Sequence, residues 1–230
     1  MKYIIAGLGN FGSALAEKLT LMGNEVIGID TNYEKIDLLK EKITDTICMD
    51  STDQYAVSGL PIKETDVVII AMGEKQGINI LASALFKNLK AKYIISRAIT
   101  PLHESILEAI GVNEIIHPEE ESAERWAKKL SLTDVIDSFE LNANYSIVEA
   151  KVPKEMIGKT IKETQIRDNF NILILTVIKK EMTSNFLGIS KKVDTIKGVA
   201  YSSQKLENDD ILVLFGLNHD IKKFLKKETF

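Results

Sequence analysis

The sequence predicts an α/β protein: a doubly wound parallel sheet of the Rossmann type, in strand order 3-2-1-4-5-6, over residues 1–137, and a small α+β domain over residues 138–230. Three observations carry this. Six short runs rich in Ile and Val alternate with helical periods before Leu130. Those runs are apolar nearly throughout, as strands buried on both faces are. After Leu130 the rhythm changes, and strands follow one another with few helices between them.

The elements follow in order. Tyr3–Ala6 is the first strand, and a glycine-rich turn leads from it into a helix with Phe11, Leu15 and Leu19 on one face. Glu25–Asp30, Thr46–Met49 and Asp66–Met72 are the next three strands. Ile78–Leu89 is helical, with Ile78, Leu81, Ala82, Leu85 and Leu89 on a single stripe. Tyr93–Arg97 is the fifth strand. Pro101 suits the first turn of the helix after it, where a missing N–H costs nothing. Glu114–His117 is the sixth. Two βαβαβ halves joined by right-handed crossovers give the stated order. Ser131–Asn144 is a connector. Beyond it come a strand at Ser146–Val152, a short helix at Ile161–Ile166, a strand at Leu173–Ile178 and a weaker stretch at Val193 and Ile196. A turn at Asp209-Asp210 feeds a strand at Ile211–Phe215, and a final helix covers Asp220–Lys227.

Composition excludes several classes. The 230 residues are 45% apolar and 27% charged with a net charge of −4, which is globular and not disordered. The charge is not that of a protein that binds nucleic acid by bulk electrostatics. The basic cluster Lys222, Lys223, Lys226 and Lys227 reads as a solvated helix face. The apolar runs fall far short of the ~20 residues a bilayer requires, and the N-terminus has no signal-peptide pattern. The expectation is a cytoplasmic protein without membrane insertion. The single cysteine, Cys48, excludes a disulfide framework and reads as an inert core thiol in an apolar strand.

The sharpest chemical signal is Gly7-Leu8-Gly9-Asn10-Phe11-Gly12 between a strand and an amphipathic helix. Gly7 permits a tight turn, Gly9 lets backbone approach a pyrophosphate, and Gly12 lets helix and strand pack closely. The helix N-terminus offers free N–H groups and partial positive charge to phosphate. Asp30 closes the second strand, where a carboxylate accepts hydrogen bonds from ribose hydroxyls and repels a 2′-phosphate. Asp50 and Ser51 end the third strand, either beside an adenine or as a helix cap. Ala71-Met72-Gly73 ends the fourth, beside the crevice where open α/β sheets bind ligands. Arg97 ends the fifth, and its charge calls for solvent, a phosphate or an interface. His117-Pro118-Glu119 reads as a helix start, because one His and one Glu are not a metal site. No Tyr-x-x-x-Lys pair follows the fourth strand, and the three histidines are scattered. The sequence therefore favours a nucleotide binder over an enzyme, with an NAD-dependent oxidoreductase as the alternative.

The succession of the glycine motif, Asp30, Asp50-Ser51-Thr52, Val68–Gly73, Arg97-Ala98 and Ile115-Ile116-His117-Pro118-Glu119 resembles the RCK (regulator of potassium conductance) proteins of the Trk and Ktr potassium-uptake systems, over nearly the whole chain. The resemblance implies a cytoplasmic subunit, peripheral to the inner face of the membrane, that assembles as a dimer or octameric ring and regulates a membrane potassium transporter or channel. The same lobes also serve other cation channels and antiporters. It implies an adenine nucleotide (NAD, NADH, ATP or ADP) held by the glycine turn, Asp30 and Asp50, with Arg97 near the phosphates or the dimer contact. It further implies a divalent-cation site between paired subunits that includes Glu119. Two departures stand out. Asn10 replaces an Arg that reaches the terminal phosphates in Ktr-type members. Leu173 replaces an Asn of the cyclic di-AMP pattern, although Arg167 is kept, so the resemblance does not carry cyclic di-AMP binding.

Overall fold

The computed structural model describes residues 1–73, 76–131, 135–184 and 190–226. Contacts divide the chain into two compact units, between Glu120 and Glu121. In the first unit, β1 (Lys2–Ala6), α1 (Asn10–Leu21), β2 (Glu25–Asp30), α2 (Tyr33–Leu39), β3 (Asp45–Cys48), α3 (Gln54–Ser58), β4 (Val67–Ile70), α4 (Gln76–Asn88), β5 (Ile94–Arg97), α5 (Pro101–Ile110) and β6 (Glu114–Ile116) follow one another. The six strands are parallel, in the order β3-β2-β1-β4-β5-β6. This is the Rossmann-type sheet expected from the sequence.

Alternation along β1 separates two cores. Ile4 packs with Ile29, Val57, Ile70, Phe86 and Ile94 on one face of the sheet. Ile5 packs with Val26, Ile36, Leu39 and Ile69 on the other, where Phe11, Leu15 and Leu19 of α1 close over them. Successive strand residues point to opposite faces, and both faces are covered, so β1 is apolar at every position from Ile4 to Ala6. Thr100 caps α5 by accepting from the His103 N–H, Pro101 occupies the first turn, and Gly111 ends the helix in the left-handed conformation.

One stripe differs from the periodicity reading. The buried face of α4 is Asn79, Ala82, Ser83 and Phe86, while Leu81 is 61% exposed. The helix is rotated so that two polar side chains enter the core, where they find partners described below.

α6 (Pro118–Ser131) crosses the division between the units. The second unit then holds β7 (Val135–Glu140), β8 (Tyr145–Lys151), a 3-10 turn at Lys154–Met156, α7 (Ile161–Thr164), α8 (Ile166–Phe170), β9 (Leu173–Ser184), β10 (Ser190–Ile196), β11 (Ile211–Leu217) and α9 (Asn218–Lys226). Its sheet is antiparallel, in the order β10-β9-β11-β8-β7. Ser146, Val148 and Ala150 alternate inward along β8, and Leu212 and Leu214 do so along β11. Val148, Ala150, Leu212 and Leu214 pack with Ile166, Ile221, Phe224 and Leu225 from the helices, giving the small α+β unit the sequence predicts. β7 lies in the stretch expected to be a connector, and the expected boundary at 137/138 would cut through it. The cause is its antiparallel pairing with β8, which places it in the second sheet. Residues 132–134 of that connector, and Lys227 at the end of the last helix, lie outside the described residues. Among the described residues no helix is long and apolar enough to cross a membrane.

Candidate functional site

The turn after β1 is built by two glycines for reasons internal to the protein. Gly7 has φ +98°, and its N–H donates to the Ile29 carbonyl at 2.8 Å. A Cβ there would lie 2.5 Å from Met72 Cγ. A Cβ on Gly12 would lie 1.9 Å from the Gly7 carbonyl oxygen, so the first turn of α1 presses directly on the loop. Gly9 is different. It is the N-cap of α1 with extended backbone (φ −72°, ψ −171°), and a Cβ added to it would meet nothing within 4 Å. No protein contact requires glycine there, and the space it leaves opens onto a cavity. α1 starts with no side-chain cap and no acidic residue in its first turn. Its positive end and unpaired N–H groups therefore face that space uncompensated.

The cavity has a volume of about 550 Å³ and lies where the sheet changes direction between β1 and β4, the usual ligand crevice of an open α/β sheet. Gly7, Gly9, Asn10 and Phe11 form its wall at the glycine turn. Asp30, Asp50 and Ser51 line it from the ends of β2 and β3, and Ala71, Met72, Gly73, Arg97 and Glu119 from the other half of the sheet. Two of the expected residues do not line it. Leu8 is 3% exposed and belongs to the core, and Gly12 lies under the turn. Each acts on the cavity through backbone position alone.

Asp30 is held tightly. Its Oδ2 accepts the Leu8 N–H at 2.8 Å and the Lys35 ammonium at 3.1 Å, and its Oδ1 accepts the Asn32 N–H at 2.9 Å. Burial alone would raise its pKa. The Asn32 and Leu8 N–H groups and the Lys35 charge more than offset this and hold the carboxyl below its ordinary range. Asp30 is therefore an ionised acceptor that also anchors the glycine turn.

Asp50 accepts from the Thr52 N–H at 2.8 Å and from its hydroxyl at 2.7 Å. The helix cap considered for Asp50 falls instead to Asp53, which accepts from the Tyr55 N–H at 2.9 Å. Ser51 is buried, with its hydroxyl directed at Met72 Sδ at 3.8 Å. Gly73 serves a close approach within the protein, since a Cβ there would lie 2.6 Å from Arg97 Cζ. The Arg97 guanidinium passes over Gly73, donates to the Ala71 carbonyl at 3.3 Å and forms a two-point ion pair with Glu119. Glu119 is thus engaged by arginine. Among the described residues no three His, Cys, Asp or Glu side chains cluster as a metal site would, so the residues of one chain do not by themselves fit a divalent cation.

Three features escaped the sequence reading. Cys48 is exposed on the edge strand and not a core thiol, because β3 has a neighbour on one side only; its Sγ lies 3.6 Å from the Thr31 carbonyl at the cavity rim. Lys35 lines the cavity beside Asp30. Behind the cavity floor, fully buried Asn79 joins the ends of two strands. Its Nδ2 donates to the Met72 carbonyl at 2.9 Å and the Arg97 carbonyl at 3.1 Å. Its Oδ1 accepts from the Ser96 hydroxyl at 2.9 Å and from His103 Nε2 at 3.1 Å. Burial lowers the His103 pKa, and the ring is neutral with its proton on Nε2. A charged-residue or motif search misses Asn79. A polar residue interrupting an apolar helix stripe, one turn after a glycine-ended strand, is the signal that would have found it.

Comparison with known proteins accords with this geometry. Residues 3–118 match the TrkA-N domain family. The chain is 28% identical over 227 residues to Ktr system potassium uptake protein C of Bacillus subtilis (strain 168), covering 98% of this chain and 96% of that protein. It is 28% identical over 223 residues to Ktr system potassium uptake protein A of the same organism, covering 97% and 95%. Among solved structures, the GsuK RCK domain superposes over 100% of this chain with a TM-score of 0.65 at 19% identity, and the GsuK channel bound to NAD over 97% with a TM-score of 0.63 at 20% identity. The chain spans 48% and 39% of those two structures, and the likeness is one of fold. With the family match running over half its length, the chain belongs to the TrkA-N domain family.

Proposed function

We propose that this protein is a nucleotide-sensing regulatory subunit of a Ktr- or Trk-type potassium uptake system. An adenine nucleotide, NAD(H) or ATP/ADP, occupies the cavity of the first unit. The diphosphate meets the start of α1 across Gly9, the ribose hydroxyls meet Asp30, and the adenine lies beside Met49 and Asp50. Arg97 supplies a cation on the phosphate side, which a ligand phosphate reaches by displacing Glu119. Copies of the chain pair, and the ligand favours one arrangement of the pair by binding it more tightly. A difference of about 1.4 kcal/mol shifts that ratio tenfold. The paired copies act on a membrane-embedded potassium pore from the cytoplasmic side, and the nucleotide is not chemically altered.

The observation that carries the nucleotide reading is Gly9, the one motif glycine whose missing Cβ serves no contact within the protein and opens the cavity onto an uncapped helix end. Ktr relatives matched over nearly their full length support the potassium system. Among the described residues that line the cavity there is no His, Cys or Tyr, and four of its five charged groups are held in two ion pairs, Asp30 with Lys35 and Arg97 with Glu119, which supports binding without turnover.

Calorimetric titration of ADP, ATP, NAD and NADH tests the reading. At least one binds the wild type. Gly9→Val, whose backbone angles suit any residue, unfolds within ~1 kcal/mol of the wild type but loses affinity at least about tenfold. Potassium flux through the co-expressed pore follows the bound nucleotide. Equal flux in all ligand states, or unchanged affinity in Gly9→Val, contradicts the proposal.

A further inference from the structure

The ribose side of the cavity does not present a lone carboxylate. Lys35, five residues after Asp30 and in the first turn of α2, places its ammonium 3.1 Å from Asp30 Oδ2 and lines the same cavity. A cation is unfavourable in the first turn of a helix, so the ion pair, and not the helix, accounts for its position. The count of bonds is informative. A carboxylate offers about four lone-pair positions. Three on Asp30 are taken, by the Leu8 N–H, the Asn32 N–H and Lys35, which leaves one on Oδ1 for a ligand hydroxyl. Lys35 has three N–H donors and spends one on Asp30, and its side chain is 41% exposed against 10% for the carboxylate. Its remaining donors are the accessible ones.

A strand-end carboxylate discriminates against a 2′-phosphate by repulsion. Here that charge is neutralised in place, and free ammonium donors stand next to it. We propose that Lys35 sets the selectivity of the ribose edge: paired with Asp30 it admits both an unmodified and a 2′-phosphorylated adenosine, and without it the cavity rejects the phosphorylated form. This rests on the nucleotide reading of the cavity. It reverses the expectation drawn from Asp30 alone, that a 2′-phosphate is excluded, because the sequence does not display the pairing.

The test uses calorimetry with two matched pairs of probes, NAD against NADP and 5′-AMP against adenosine 2′,5′-bisphosphate, on wild type, Lys35→Met and Lys35→Arg. Thermal unfolding checks that each variant is folded. In the wild type the members of each pair bind within about tenfold of one another. In Lys35→Met the 2′-phosphorylated member weakens at least about tenfold more than its partner, and Lys35→Arg restores the wild-type ratio. If both members bind and Lys35→Met leaves their ratio unchanged, or if the wild type already rejects the 2′-phosphorylated probes, Lys35 does not set selectivity while the nucleotide reading stands. If the folded wild type binds none of the four probes nor ADP or ATP, the nucleotide reading itself fails, and this proposal with it.

Discussion

Asn79→Ala will lower the unfolding free energy of the first unit by ~3–5 kcal/mol, read from urea denaturation. The side chain is fully buried and makes four bonds of ordinary length, to the Met72 and Arg97 carbonyls and from Ser96 and His103. Truncation removes none of those partners. It leaves two part-buried carbonyls and a buried imidazole N–H without their partner, while the Ser96 hydroxyl keeps only its bond to Ser83 at 3.1 Å, and each buried orphan costs about 1–3 kcal/mol before relaxation. His103 already carries one buried nitrogen, Nδ1, without a partner, so the pocket holds no spare acceptor for its proton. The loss is a large share of the ~5–15 kcal/mol that holds a typical domain together. Asn79→Asp fails similarly, because a carboxylate cannot donate to the two carbonyls. A loss below about 1 kcal/mol in Asn79→Ala would mean that these bonds are replaced at little cost. Since Met72, Gly73 and Arg97 hang from the strand ends that Asn79 ties together, nucleotide affinity falls with stability in this variant.

Gly12→Ala is expected to destabilise by ~1–3 kcal/mol and to abolish nucleotide binding. The sign is the decisive feature. Exchanging an unencumbered helical glycine for alanine stabilises a protein by roughly 1 kcal/mol, since alanine is the better helix former. At Gly12 the new methyl would lie 1.9 Å from the Gly7 carbonyl oxygen and 3.1 Å from Ala71 Cβ, all of it in strand and turn that cannot swing aside. α1 must lift from the turn, and its N-terminus moves off the cavity. A rise in melting temperature would refute this close approach. Beside Gly9→Val, which keeps stability and loses ligand, Gly12→Ala divides the motif into a glycine required by the fold and one required by the guest.

The same division explains how far the sequence could be read. The parallel strands were legible because burial on both faces forces unbroken apolar runs such as Val67–Ile70, and the turn was legible because glycine is the only residue for Gly7 at φ +98°. Asp30, Asp50, Met72 and Arg97 could be grouped from the sequence, and they line one cavity, because sheet order alone brings strand ends together. Asn79 and Ser83 were missed because periodicity weighs only apolar positions; it credits Leu81, which is 61% exposed, and passes over an amide at 0%. β7 was missed because Val135, Asp137 and Phe139 alternate too weakly without the partner strand β8 in view. Lys35 and the Arg97–Glu119 pair were missed because side-chain pairing across five or 22 residues leaves no local trace.

The bond from the Leu8 amide to Asp30 also bears on how this protein is dissected genetically. Deleting the carboxylate severs a brace of the loop as well as a contact to sugar, so Asp30→Ala conflates two injuries. Asp30→Asn keeps one acceptor oxygen for the Leu8 amide, so the brace of the loop survives while the charge, the Lys35 ion pair and the Asn32 N–H bond on the other oxygen are given up.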